Sequence, residues 1–467
     1  MKYTYLFILL IFGFQTVSNG QTDAPKTIVS YKEIGKLKSR NTHEIKSSNW
    51  SVGGETMDRG YTEYKYWSPY LADLGIKKVR LQAGWAKCEK VKGVYTWAWL
   101  DSIVFDLPKK GIEPWVNLSY GNPLYGKGET HLGSKIDTDK VTMTAWLNWV
   151  KAIVVRYKDV VNEWEIWNEP NGGHNSAVSY AKLLIPTAEL IKKIQPNAVI
   201  IGLAEAGIDM QFTEGVLKVL KNENKTSLID YLCYHPYNFN PDDSYTRVEE
   251  LYKLMKSYAP EMKLFQGENG APSEWINSYA LSKYNWTEVT QAKWALRRML
   301  GDLGRDIPSS LFTIADVIYP NTINRKGLLY VNNDKTINHR KQAYFAVQNL
   351  AAIFDNTLEK INAFDFKNNS NHKVAAFAYK KKNDRPDLVT IWLYDDRPTD
   401  YNATTPINFE MKNVTFKNPV WIDLRTGNVF EIPNNCFESK NGNTHFKNLP
   451  VYDSPIVVAE KKIIQIK

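Results

Sequence analysis

A regular alternation of short β-rich runs and longer amphipathic runs extends from residue 50 to residue 355. In 180–194, for example, Leu184, Ala188 and Ile191 repeat near the helical period, with Lys and Glu on the opposite face. The short runs predict strands at 50–53, 78–84, 113–118, 163–167, 198–203, 229–234, 263–266 and 310–318. The longer runs predict helices at 64–74, 143–157, 180–194, 247–258, 289–303 and 339–354.

Eight strands that alternate with helices are typical of an α/β fold of the closed (β/α)8 type, the TIM barrel. The alternative is an open, doubly wound parallel sheet, which often carries a glycine-rich phosphate loop after its first strand. Neither GxGxxG nor GxxxxGK followed by Ser or Thr occurs in the sequence. We therefore predict the barrel, over residues 48–355.

The pattern changes after residue 355. Short β-rich runs at 374–379, 388–393, 406–410, 419–422 and 456–459 are separated by turns rich in Asn, Gly, Asp and Pro. The sequence RTGN at 425–428 is typical of a hairpin turn. We predict a C-terminal β-sandwich over 356–467, and the segment 21–47, ahead of the barrel, is a candidate further strand of it.

Residues 1–20 have the pattern of a cleavable signal peptide. Lys2 precedes an apolar run over 6–14, and the small residues Ser18 and Gly20 follow it. The run is far shorter than the about 20 apolar residues of a membrane-spanning helix, and no later segment resembles one. We expect cleavage after Gly20 and an exported protein without a membrane span, either periplasmic or extracellular.

Composition excludes several classes of protein. With 43% hydrophobic and 23% charged residues, the chain can bury a large core, which excludes a disordered or fibrous protein. Cys88, Cys233 and Cys436 allow at most one disulfide and form no CxxC pair, so a disulfide scaffold is excluded. The net charge of +9 is spread along the chain, which argues against a nucleic-acid partner but allows an acidic substrate.

Two glutamates follow strands of the predicted barrel. Glu169 lies in EIWNEPN at 165–171, after the fourth strand, and Glu268 lies in FQGENG at 265–270, after the seventh. Catalytic residues of this fold come from the carboxyl ends of the strands, and strands four and seven lie across the barrel mouth from each other. One such glutamate alone would be interpreted as a surface carboxylate. The pair can flank one bond, as cleavage of a glycosidic bond requires.

The sequence WNEP at 167–170 resembles the acid/base signature of glycoside hydrolase clan A, the retaining (β/α)8 hydrolases. The resemblance extends along the barrel and is strongest to glycoside hydrolase family 39 and its neighbours. IDYLCYHPY at 229–237 is similar to the family's sixth strand, and Ala315-Asp316 to the Ser-Asp on its eighth. The matching residues after the second strand are Arg80, Trp85, Glu89, Gly93, Tyr95, Trp97, Leu100 and Asp101.

The resemblance implies roles for the matching residues. Glu169 would be the general acid/base and Glu268 the nucleophile, with carboxyl groups about 5–5.5 Å apart. Asn168 would form a hydrogen bond with the sugar 2-hydroxyl. Glu169 should start neutral, whereas Glu268 must stay ionised. Arg80 and Tyr237 are the donors that could hold Glu268 in its charged form.

Other candidate residues have two interpretations. Gln-Gly precedes Glu268 where many clan members have Thr or Ser, so Glu205 and Glu274 are reserve candidates for the nucleophile. Arg80 either contacts the site or forms a structural pair with Glu165. His235 is expected to be a hydrogen-bonding residue rather than a metal ligand, since no second His or Cys lies at ligand spacing. Five aromatic residues could stack on sugar rings or simply pack the loops: Trp85, Trp115, Tyr120, Tyr237 and Trp275.

We expect a retaining glycoside hydrolase that acts on an oligo- or polysaccharide by double displacement, with no cofactor and no metal. The alternatives are a carbohydrate-binding barrel without catalysis and a metal-dependent hydrolase. The presence of both glutamates and Asn168 argues against the first, and the lack of a ligand cluster in the sequence argues against the second. The charge of +9 favours an anionic glycan, sulfated or uronate-bearing, in which case Lys and Arg should cluster around the cleft.

Overall fold

The computed structural model describes residues 24–173, 175–381 and 387–467, so the predicted signal peptide at 1–20 lies outside the described residues. Within this part of the chain, eight parallel strands close into a barrel, and the predicted fold class is confirmed. Each strand pairs with its neighbours in the sequence, and the eighth pairs with the first. The strands are β1 (Trp50–Gly53), β2 (Lys78–Gln82), β3 (Glu113–Leu118), β4 (Glu163–Ile166), β5 (Val199–Ala206), β6 (Tyr231–His235), β7 (Lys263–Asn269) and β8 (Ser309–Leu311).

The parallel arrangement brings the carboxyl ends of all the barrel strands to one mouth. Side chains alternate between the two faces of each strand. On β2, Val79 and Leu81 therefore join the apolar layer between strands and helices, whereas Arg80 reaches polar partners inside the barrel. Polar groups at the strand ends consequently converge at the mouth.

Helices surround the barrel and bury apolar faces against it. Lys140–Tyr157 begins after Asp139, whose carboxylate accepts hydrogen bonds from two amides of the first turn, and it buries Trp146 and Trp149. None of the described helices is long and apolar enough to cross a membrane. The α-helices are Tyr64–Trp67, Leu71–Leu74, Trp85–Cys88, Ala98–Val104, Lys140–Tyr157, Ala177–Ile194, Met210–Asn222, Tyr245–Tyr258, Glu288–Leu303 and Gln342–Ile353. Short 3-10 turns are Thr42–Glu44, Met57–Arg59, Ser68–Tyr70, Pro108–Lys110, Thr226–Leu228, Pro241–Ser244, Asn434–Cys436 and Lys461–Ile463.

The predicted helix at 64–74 is interrupted in the structure. It forms Tyr64–Trp67 and Leu71–Leu74, joined by a 3-10 turn that contains Pro69. Proline has no amide hydrogen for an interior helical bond, and its ring clashes with the preceding turn. The interruption was therefore encoded by a single residue within an otherwise helical pattern.

The predicted strand at 310–318 begins at Ser309 and ends at Leu311, and Asp316, beyond it, belongs to a buried polar cluster. Its carboxylate accepts hydrogen bonds from Lys341 Nζ (2.6 Å), from the Gly327 amide (2.9 Å) and from Arg325 Nη1 (3.1 Å). Asp316 thus lies beyond β8 rather than on it. Further hairpins pair Val317–Tyr319 with Thr322–Asn324, Leu329–Val331 with Ile337–Arg340, and Glu89–Val91 with Val94–Tyr95.

The C-terminal region is a β-sandwich, and Phe409 and Trp421 are buried between its sheets. Its hairpin at 425–428 has Gly427 at φ +77°, a conformation that favours glycine. In the described part of the chain, one sheet has the order Lys32–Lys36, Asn428–Glu431, Pro419–Asp423, Ile456–Glu460, Asp387–Leu393, Val374–Lys381 and Leu358–Lys360. The other has the order Asp365–Asn368, Thr405–Lys412, Asn443–Val451 and Phe437–Lys440.

The helix Glu288–Leu303 joins the barrel to the sandwich through buried cations. Lys293 Nζ lies 2.6 Å from Oδ1 of Asp453, in the sandwich. Arg297 lies 2.7 Å from Asp242 and donates to the carbonyl of Asp396 at 2.9 Å. These pairs satisfy charges that would otherwise be costly to bury.

Candidate active site

Glu169 reaches the barrel mouth through a sharp turn after β4. Trp167 and Glu169 have φ of +67° and +50°, and the Glu169 amide donates to the carbonyl of Ala204 at 2.8 Å. A non-glycine residue in this left-handed region costs about 1–3 kcal/mol, and such residues occur disproportionately at functional sites. The turn therefore aims Glu169 into the mouth at an energetic cost.

Glu169 and Glu268 lie close together across the mouth. One oxygen of each carboxylate and one ring nitrogen of His235 all lie within 4.8 Å of one another. Retaining glycosidases place their carboxyl groups about 5–5.5 Å apart, whereas inverting enzymes need about 6.5–9.5 Å to admit a water molecule. A closest approach of two carboxylate oxygens within 4.8 Å agrees with the shorter, retaining separation.

Two donors contact Glu268. Arg80 Nη1 lies 2.6 Å from Oε2, and Tyr237 Oη donates to Oε1 at 2.9 Å. Burial raises the pKa of Glu268, but attraction to His235 and Arg80, together with the Tyr237 hydrogen bond, outweighs burial and lowers that pKa below its usual value. Glu268 is thus held in its ionised form.

Arg80 has both roles that the sequence left open. Its buried guanidinium pairs with Glu165 through hydrogen bonds of 2.8 and 2.5 Å, which is the structural interpretation. It also contacts Glu268 and donates to Asn168 Oδ1 at 2.6 Å, which is the site interpretation. A third carboxylate, Glu55, lies 3.0 Å from Nη1.

His235 and Tyr120 orient the other polar groups of the mouth. His235 Nδ1 lies 2.9 Å from Oε1 of Glu169. Burial lowers the pKa of His235, but attraction to Glu268 and the contact with Glu169 raise it overall. Tyr120 Oη accepts from Asn168 Nδ2 at 2.7 Å, so Asn168 is fixed on both sides of its amide.

The mouth opens into a cleft of about 470 Å³ that includes residues not predicted from the sequence. Gln82 lies two residues after Arg80 on β2, so strand alternation would have placed it on the same face. The others are Ala206 at the end of β5, Tyr319 and Asn324 of the hairpin after β8, and residues of loops and turns, which carry no comparable signal in the sequence. The lining residues absent from our predictions are Thr56, Arg59, Gln82, Leu132, Ala206, Gly207, Tyr279, Ala280, Phe312, Tyr319, Asn324 and Lys326.

For Trp85 and Trp115 the sugar-stacking interpretation is wrong, because both rings are fully buried. Trp85 is 1% exposed and stacks on Tyr125, with ring centroids 5.3 Å apart, and its indole donates to Glu89 at 2.6 Å. Trp115 is buried inside the barrel and donates to Ser51 at 2.8 Å. Neither ring offers a face to a ligand.

The remaining candidates differ in position. Tyr120 and Tyr237 line the cleft. Trp275 is 54% exposed on the loop after β7 and is not among the residues that line the cleft. Glu205 lies outside the cleft and accepts from Thr213 at 2.8 Å, and burial raises its pKa to about 8. Glu274, 46% exposed at its side chain, pairs with Arg325 at 3.0 Å.

Among the residues that the structure describes, two groups of side chains have the spacing of metal ligands. They are Glu169 with His235 and Glu268, and Glu165 with Cys233 and His235. Arg80 and Tyr237 already bond the two oxygens of Glu268, and Arg80 bonds both oxygens of Glu165. A cation at either position would face the guanidinium, so the donor sets fit a metal poorly.

A (β/α)8 barrel with two carboxylates this close at its mouth is the arrangement of a retaining glycosidase, and the protein is an enzyme of this class. Residues 69–428 match the family described as Glycosyl hydrolases family 39. Because the match covers most of the chain, the protein belongs to this family, within clan A. The alternative of a non-catalytic barrel is thereby rejected.

Several solved structures are similar to this chain in fold. A family 39 glycoside hydrolase from Bacteroides cellulosilyticus WH2 is 19% identical, with a TM-score of 0.62 over 89% of this chain and 81% of that chain. A β-xylosidase from Caulobacter crescentus CB15 is 16% identical, with a TM-score of 0.58 over 92% of this chain and 97% of that chain. The family 39 enzyme from Xanthomonas axonopodis pv. citri is 16% identical, with a TM-score of 0.59 over 91% of this chain and 95% of that chain. No curated protein matches the chain.

Proposed function

We propose that Glu268 is the nucleophile and Glu169 the general acid/base of this retaining glycosidase. The observation that carries the proposal is that two carboxylates within 4.8 Å have different partners. Glu268 is bonded by Arg80 and Tyr237, which favour its anion, whereas Glu169 is bonded by His235 alone among the described residues. Different environments are how one site assigns different roles to two carboxyl groups.

The reaction would proceed in two displacements. Glu268 attacks the anomeric carbon while Glu169 gives its proton to the leaving oxygen, which forms a covalent glycosyl-enzyme. Glu169, now ionised, takes a proton from water, and the resulting attack releases Glu268 and restores the anomeric configuration. Asn168, fixed by Arg80 and Tyr120, is placed to meet the sugar 2-hydroxyl.

Substitution of each carboxylate tests these roles. Glu268→Ala should abolish turnover of aryl glycosides without loss of folding. Glu169→Ala should retain activity only toward substrates with activated leaving groups, and azide should accelerate that residual activity. Glu274→Gln, which alters a solvent-exposed carboxylate outside the cleft, is the matched control. Unchanged activity of Glu268→Ala, or inversion of the anomer observed by NMR, would overturn the proposal.

We also propose that the substrate is an anionic glycan, sulfated or uronate-bearing. Support comes from the net charge of +9 and from Arg59 and Lys326, two cations that line the cleft. Salt screens such attraction, so kcat/KM on an anionic polymer should fall as NaCl rises, whereas a neutral substrate should be much less affected. Equal salt dependence on both substrates would contradict the proposal.

Export is the last part of the proposed function. Support comes from the charged start, the apolar run over 6–14 and the small residues before position 21. Expression of the full chain in a bacterial host, followed by N-terminal analysis of the secreted or periplasmic protein, should give a mature chain that begins at Gln21. A full-length protein retained in the cytoplasm would contradict this proposal.

A further inference from the structure

Lys326 is a buried cation at the edge of the active-site cleft. It is 3% exposed, follows the hairpin strand Thr322–Asn324, and lines the cleft. Its ammonium lies 3.4 Å from Asn324 Oδ1 and 5.7 Å from the ring centroid of Tyr237. Among the described residues, no carboxylate lies within ion-pair distance of it.

The ammonium groups of the other buried lysines in the described chain have closer or more numerous polar partners. Lys293 and Lys341 each pair with a carboxylate at 2.6 Å. Lys77 donates to two backbone carbonyls, of Thr42 and Gly111. A buried charge without such partners is costly. Burial accordingly lowers the pKa of Lys326 to about 7, and attraction to Glu268 offsets part of that shift.

Lys326 lies near the proposed nucleophile, on the far side of Tyr237. The ammonium faces the ring of Tyr237, and the hydroxyl of the same tyrosine donates to Glu268 at 2.9 Å. Only one side chain therefore separates Lys326 from the proposed nucleophile. Arg59, which also lines the cleft, already pairs with Asp58 at 3.2 Å. Among the Lys and Arg side chains of the described cleft lining, Lys326 thus has no carboxylate partner and can meet an anion on the bound sugar.

We propose that Lys326, with Asn324 beside it, recognises a carboxylate or sulfate carried by the sugar ring that is attacked by Glu268. This inference rests on the proposed function, because it places that ring between the two glutamates. An anionic oxygen of the sugar would give the Lys326 ammonium the negatively charged partner that it lacks among the described residues. Lys326 would then select between substrates that differ only in a negative substituent.

Matched substrate pairs test this role. An aryl β-glucuronide is an aryl β-xyloside with a carboxylate added at C5, and a sulfated aryl β-xyloside adds a sulfate to the same parent. A charge-assisted hydrogen bond contributes enough to change kcat/KM by about 10–100-fold. We expect the wild-type enzyme to prefer one anionic substrate to its parent by about tenfold or more. The pair that shows the preference distinguishes a carboxylate from a sulfate.

The variants separate recognition from general electrostatics. Lys326→Met should remove the preference, because kcat/KM should fall mainly for the anionic substrate. Lys326→Arg should retain part of the preference. Lys151→Met, on the exposed face of Lys140–Tyr157, is the control for a lost positive charge and should leave the preference intact. Equal losses on the neutral and anionic substrates would show that Lys326 acts only through Glu268, and would overturn the inference.

Binding without turnover keeps the inference testable if the proposed catalysis fails. Calorimetric titration of Glu268→Gln with methyl β-glucuronide, sulfated methyl β-xyloside and methyl β-xyloside should show tighter binding of one anionic ligand. Adding Lys326→Met should abolish the difference. This result without turnover in the wild-type enzyme would reject the catalytic proposal alone. Preference for the neutral ligand throughout, or no binding of either anion, would reject the anion site.

Discussion

The guanidinium of Arg80 lies 2.6 Å from Oε2 of Glu268 and simultaneously holds Glu165 through hydrogen bonds of 2.5 and 2.8 Å. One buried side chain therefore both joins strands of the barrel and keeps the proposed nucleophile ionised. Stability and activity should be affected together when this residue is changed.

Arg80→Met should destabilise the protein by about 3–5 kcal/mol, because it leaves several buried carboxylates without their cation. Urea unfolding followed by circular dichroism measures the loss. Arg156→Met, which removes a more exposed pair with Asp101, is the control and should cost about 1 kcal/mol or less. A wild-type unfolding midpoint for Arg80→Met would contradict the structural role of Arg80.

Tyr237→Phe should move the acidic limb of the kcat/KM profile to higher pH. Activity requires ionised Glu268 and is lost as pH falls through the pKa of that group. The tyrosine hydroxyl lowers this pKa by bonding the anion, so its removal raises the pKa and the loss begins at higher pH. A pH profile on a neutral aryl glycoside is the measurement. A limb that stays in place or moves to lower pH would be contrary evidence.

The preference for an anionic substrate should weaken as pH rises through about 7, the pKa to which burial lowers Lys326. Below that pH the ammonium is charged and can bind the anion, whereas above it the amine is neutral. A bound anion favours the charged form of Lys326. The pH at which the preference is half lost should therefore be higher in the profile of kcat than in that of kcat/KM. The ratio of kcat/KM for glucuronide and xyloside, measured from pH 5 to 9, provides the test. A ratio independent of pH would oppose the role of Lys326.

Lys326→Met should leave the stability of the protein unchanged or increase it, because it removes a buried charge that lacks a carboxylate partner. Lys341→Met is the matched control. It removes the 2.6 Å ion pair with the buried carboxylate of Asp316, which keeps Arg325 as a partner, and should cost about 1.5–3 kcal/mol. The two urea midpoints should therefore shift in different ways. A similar loss in both variants would mean that Lys326 is a structural residue.

The sequence predicted the barrel because its strands and helices repeat with clear periods. It also predicted that Glu169 and Glu268 lie together at the barrel mouth, since carboxylates at the carboxyl ends of the strands meet there in this fold. It did not predict Met210–Asn222, although Phe212, Val216 and Leu220 have helical spacing there. The sequence signal for that helix is therefore present in the same form as for the others.

Other features were beyond the reach of local patterns. Trp85 and Trp115 follow or lie on strands, yet whether such a ring faces the cleft or the core depends on distant packing partners. Lys326 lies at the cleft after a buried cluster around Asp316 and a hairpin that reverses the chain. Neither the buried cluster nor the hairpin has a signature in the neighbouring sequence.

The most direct test of the proposed mechanism is to trap the glycosyl-enzyme. An aryl 2-deoxy-2-fluoro glycoside of the sugar that the enzyme turns over slows the second displacement, and mass spectrometry of peptides then locates the attached sugar. We expect the label on Glu268. A label on Glu205, Glu274 or any other residue, or the absence of a covalent adduct during inactivation, would contradict the assignment of Glu268 as the nucleophile.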